Sequence, residues 1–106
     1  MTEARHVDDV LAEIEVPHEG TLSQTLYRDD RVRVVLFAFD AGQELSSHTA
    51  SVPAIVEVVR GHLRLTLDDE TVDARPGSWT HMPADLPHAV VAEEPSVMLL
   101  TMLSGG

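Results

Sequence analysis

The sequence predicts an all-β domain, a barrel or sandwich of two packed antiparallel sheets. Three observations carry this expectation. About eight or nine short runs rich in β-branched and apolar residues succeed one another, separated by turn signals every several residues. Residues 62–68 alternate strictly, with Leu63, Leu65 and Leu67 on one face and His62, Arg64, Thr66 and Asp68 on the other. Helical spacing is confined to the N-terminal region and stops at Pro17.

Residues 5–15 place Val7, Val10, Leu11 and Ile14 at helical spacing among acidic residues, which predicts one short amphipathic helix, or an irregular arm, packed on the outside of the strands. Residues 21–28 read as extended, Asp29-Asp30 as a turn, and residues 31–39 as a strand. Gly42 breaks that run, and residues 45–49 form a short strand. Pro53 fits the start of the next strand, where a missing amide donor is tolerated; residues 55–60 continue it and Gly61 ends it.

The alternating strand 62–68 comes next, then a turn at Asp68-Asp69-Glu70 and a return strand at 71–74. Pro76-Gly77 is a turn dipeptide, residues 78–82 a strand that stops at Pro83, and residues 87–93 another. Pro95-Ser96 turns, residues 97–103 close the sheet, and residues 104–106 are a tail.

The 106 residues predict a single domain, 1–106, with a core at about 20–103 and an arm at 5–16. The formal net charge is −11, and all seven basic residues are arginine. This balance argues against nucleic acid or an anionic membrane surface as a partner, since both need a positive footprint. The absence of cysteine excludes disulfides, thiolate metal sites and cysteine nucleophiles. No apolar signal-peptide core and no run of membrane-spanning length is visible, so the expected location is cytoplasmic.

Two segments together resemble the motifs of a small single-domain cupin. The first motif of that family is a glycine, five residues, His-x-His, three or four residues, a glutamate, six residues and a glycine; Gly42, His48 and Gly61 stand at those spacings. The second ends a Pro-Gly turn and strand with a proline, a short turn and a histidine, as do Pro76-Gly77, Pro83, Pro87 and His88. The resemblance covers residues 31–103. It implies a cupin-type β-barrel, a double-stranded β-helix or jelly roll, which commonly forms a homodimer. Metal-bearing members hold iron, manganese, nickel or zinc with three histidines and the glutamate. Here the second histidine position is Ala50 and the glutamate position is Ala54, so only His48 and His88 keep ligand side chains.

Two imidazoles fall short of the three protein ligands of an ordinary catalytic site. The third would have to be Glu57, His62 or His81. His81 shares a strand face with Trp79, so the two either build a pocket or belong to a dimer surface. Glu57 is three residues from Ala54, on the opposite face under strict alternation. His62 lies on the polar face of its strand and is expected to be exposed. Without a metal, His48 and His88, with Trp79, Phe37 or Phe39 as pocket candidates, would bind a small molecule or act as general acid or base; a buried structural role is the alternative.

Three functions therefore compete: a small-molecule binding cupin, a metal-dependent cupin enzyme such as a dioxygenase, and a scaffold whose site has decayed.

Overall fold

In the computed structural model, which describes residues 3–104, the chain folds into nine strands. They are β1 (Thr21–Arg28), β2 (Val32–Phe39), β3 (Glu44–His48), β4 (Ala54–Arg60), β5 (Leu63–Leu67), β6 (Glu70–Ala74), β7 (Trp79–Met82), β8 (His88–Ala92) and β9 (Ser96–Leu103). They form a five-stranded sheet, ordered β1-β2-β9-β4-β7, and a four-stranded sheet, ordered β3-β8-β5-β6. Every pairing is antiparallel. Neighbours in space are seldom neighbours in sequence, as in a jelly roll.

The alternation explains the packing. Along β4, Ala54, Val56 and Val58 are buried and Ile55, Glu57 and Val59 are not. The buried set meets Phe39, Met82 and Met98 of the same sheet and Leu63, Leu65, Ala74, Val90 and Ala92 of the other. This is one core between two facing sheets. Burying a side chain such as Leu63 or Leu65 stabilises the fold by roughly 1.5–3 kcal/mol each.

Over β2 and the start of β9 the five-stranded sheet is apolar on its outer face too. Leu36, Ala38 and Val97 pack there against Ile14, with Val10 and Val16 alongside. The N-terminal segment is therefore the irregular arm of the two alternatives. Its only helix is one 3-10 turn, Val10–Glu13, capped by the Asp9 carboxylate, which accepts from the Leu11 N–H. Ile14 is already extended. Extension lets Val10, Ile14 and Val16 lie along the sheet, whereas a continued helix would lift some of them off it.

Two turns differ from expectation or depend on a special contact. Ser96 is not in a turn: it opens β9 and is fully buried. Its Oγ accepts from the His62 N–H at 2.9 Å and donates to the Glu94 carbonyl at 2.7 Å. Gly61 sits against it with φ +85°, and a Cβ there would fall on Ser96 Oγ and the Pro95 carbonyl. Asp29 holds the β1–β2 turn by accepting from Tyr27 Oη and from the N–H groups of Arg31 and Val32. Among the described residues no helix is long and apolar enough to cross a membrane.

Candidate functional site

His48 ends β3 and His88 begins β8, and the two are direct partners in the ladder. One residue lies between His88 and Val90, but two lie between His48 and Leu45, the partner of Val90. The extra residue is a β-bulge. It matters because Leu45 packs on the inner core. Strict alternation from Leu45 would turn His48 away, and the bulge returns it to the face it shares with His88.

The rings lie edge to face, with centroids 4.2 Å apart and an interplanar angle of 62°. Each is oriented by a carbonyl two residues back: His48 Nδ1 donates to Ser46 O at 2.8 Å, and His88 Nδ1 donates to Leu86 O at 2.9 Å. A carbonyl only accepts, so Nδ1 carries the proton in both rings. In the neutral form of either ring the lone pair is then on Nε2.

The two histidines close one side of a cavity of about 70 Å³. Its other walls are Ala50, Val52, Ala54, Met82, Pro83, Leu100 and Met102. Ala54 is flanked in the ladder by Met82 on β7 and Met102 on β9. The walls are therefore apolar, and the histidine nitrogens are the polar groups at the mouth. His88 is half-buried and His48 is exposed, so this end of the barrel opens to solvent.

The other candidates lie elsewhere. Glu57 and His81 project from the outer face of the five-stranded sheet, opposite Ala54 and Met82, so neither serves as third ligand. Trp79, paired with Glu57, lies on that outer face with 62 % exposure and is not a pocket residue. Phe37 and Phe39 stack in the inner core at 6.0 Å but do not line the cavity with the histidines. His62 is not freely exposed. Its side chain is 15 % exposed and its Nε2 donates to Asp73 at 2.8 Å, which lowers the Asp73 pKa.

The donors present do not fit a divalent ion held by three histidines and a glutamate. Ala50 and Ala54 offer only methyl groups, and among the described residues no three His, Cys, Asp or Glu side chains cluster. Sequence reasoning missed Met82, Leu100 and Met102 as cavity walls. Alternation puts Met82 opposite His81, but only the strand order brings Met102 beside Ala54.

A family model described as a cupin domain matches residues 35–103. Among solved structures, a conserved protein of unknown function from Streptococcus pyogenes is 31 % identical over 99 % of this chain and 92 % of its own, with a TM-score of 0.88. A cupin superfamily protein from Desulfitobacterium hafniense is 29 % identical over 90 % of this chain and 88 % of its own, with a TM-score of 0.84. A cupin 2 conserved barrel domain protein from Leptotrichia buccalis is 30 % identical over 89 % of this chain and 46 % of its own, with a TM-score of 0.83. No curated protein matches.

Proposed function

The chain belongs to the cupin domain family, and on that premise we propose that it is a binding protein whose small ligand is anchored at the barrel mouth by Nε2 of His48 and Nε2 of His88. The observation that supports this is the tether common to the two rings, each held through Nδ1 by the carbonyl two residues before it. The tether fixes the tautomer that leaves the Nε2 lone pair of each ring able to accept a hydrogen bond or to coordinate. The cavity volume suits a group of a few atoms, and the apolar walls strengthen any hydrogen bond or coordination made inside them. A dioxygenase using a hard divalent ion is less well supported, because two of its four ligand positions are alanines.

The test is a thermal-shift screen of tag-free protein against small carboxylates, phenols, sugar acids and metal ions. A ligand present at about a hundred times its Kd stabilises the native state by about 2.7 kcal/mol. The reading expects at least one stabilising ligand whose effect disappears in His48→Ala and in His88→Ala. Stabilisation that survives both changes, or none across the panel, overturns it.

Homodimerisation through the outer face that carries Trp79, His81 and Ile55 is proposed as well. Its support is a largely exposed tryptophan on an edge strand, a strand type that folded proteins usually cover or blunt.

A further inference from the structure

We propose that the cavity takes a soft monovalent metal cation, a cuprous ion, held by the two histidine Nε2 atoms and the thioether sulfurs of Met82 and Met102. This rests on the proposed function, in which the histidine pair is the ligand-binding centre, and names the ligand.

Four observations carry it. The first is the placement of the methionines. Met82 and Met102 are the two ladder partners of Ala54, one on each side, and all three line the same cavity as His48 and His88. Cross-strand partners stand about 5 Å apart at Cβ. A methyl at the centre leaves room above it, and methionine, with three rotatable bonds, is the side chain best able to lean into that room.

The second is donor chemistry. Two neutral imidazole nitrogens and two thioethers form a soft set, which suits Cu(I) and not ions that prefer carboxylate and water. The third is charge. Among the described residues no carboxylate lines the cavity. The cost of placing an ion among apolar walls rises steeply with its charge, so such a site favours a monovalent ion. The fourth is the tautomer. The tethered Nδ1–H groups leave both Nε2 atoms ready to coordinate without losing a proton. The net charge of −11 adds a long-range attraction for any cation.

The competing explanation is that the methionines only fill space. The test uses full-length, tag-free protein titrated anaerobically with Cu(I) against a chromophoric Cu(I) chelator, with Ag(I) calorimetry as a redox-inert parallel. The expected result is one equivalent bound, with Mn(II) and Zn(II) bound more weakly. The Met82→Leu/Met102→Leu variant, nearly isosteric, should weaken Cu(I) binding about tenfold or more, and His48→Ala should weaken it as well. X-ray absorption at the copper edge of the unmodified protein should show sulfur as well as nitrogen neighbours, a readout that needs no variant to fold.

Failure to compete for Cu(I), unchanged affinity in the double methionine variant, or a copper shell without sulfur overturns the proposal. If any of these occurs while another ligand still depends on His48 and His88, the histidine-anchored reading stands and only the cuprous assignment falls. If Cu(I) binds but is indifferent to His48→Ala and His88→Ala, the cuprous assignment falls, and the histidine-anchored reading falls with it when no other ligand depends on the pair.

Discussion

His48 and His88 face each other across β3 and β8 with ring centroids 4.2 Å apart, and each is tethered through Nδ1 to the carbonyl two residues before it. The repeated tether leaves the lone pair of each neutral ring on Nε2, and both rings line one apolar cavity. The bulge before His48 is what makes the opposition geometrically available.

The alanines can be tested by reversal. Ala54→Glu alone places a carboxylate at a buried position and is expected to destabilise the fold by about 2–3 kcal/mol. Ala50→His combined with Ala54→Glu adds the two missing donors beside His48 and His88. The double variant should then bind one equivalent of Mn(II) or Zn(II), and the metal should restore its melting temperature. Elemental analysis and calorimetric unfolding with and without metal check this.

Gly61 lies so close to Ser96 that no Cβ is accommodated, and its φ is +85°. Gly61→Ala therefore meets both a backbone clash and a left-handed conformation. The expected loss is about 3 kcal/mol, read from urea unfolding midpoints at constant slope.

Asp29 accepts hydrogen bonds from Tyr27 Oη, Arg31 N and Val32 N; the Tyr27 bond first, then the two backbone bonds, lower its pKa. A carboxyl whose folded pKa is depressed contributes stability that is present above its unfolded value of about 4 and is lost as pH falls through the folded value. Asp40 and Asp73 are lowered as well, by backbone N–H groups and by His62 respectively, so they add to the same acid limb. Stability should thus fall below about pH 4, and Asp29→Asn should make that fall shallower. The same variant should be destabilised at pH 7, where the wild-type carboxylate is fully ionised. Chemical unfolding from about pH 2.5 to about pH 7 measures both.

If the outer face pairs two copies, Trp79 is shielded in solution. Sedimentation should give the mass of two chains, and Trp79→Glu should give one chain with its fold intact by circular dichroism. A one-chain mass for the unmodified protein at micromolar concentration contradicts the pairing.

The strands are legible in the sequence because their chemistry is local. The Leu63-Leu65-Leu67 alternation, the Pro76-Gly77 turn and the glycine at 61 each report on nearby backbone; β1 covers the residues read as extended, and β5 lies within the alternating run 62–68. The cavity is only half legible. Spacing marks His48 and His88, but the walls come from β4, β7 and β9, which are adjacent in the sheet and far apart in the chain. Trp79 resembles a pocket residue for the same reason: the face it shares with His81 is clear from sequence, but whether that face points inward depends on register. The arm shows the limit in another form, since the helical spacing of Val7, Val10 and Ile14 is overridden by an apolar sheet face that an extended segment covers better.

Ligand binding at the barrel mouth depends on two imidazoles that hold their protons on Nδ1 and present Nε2 to the cavity. Long-range proton–nitrogen correlation spectra of the ligand-free protein near pH 8, assigned with His48→Ala and His88→Ala, read the tautomer of each ring directly. The expected result is a protonated Nδ1 and a bare Nε2 for both His48 and His88, with both Nε2 resonances moving when ligand or Ag(I) is added. A protonated Nε2 on either ring, or Nε2 resonances indifferent to a bound ligand, would contradict it.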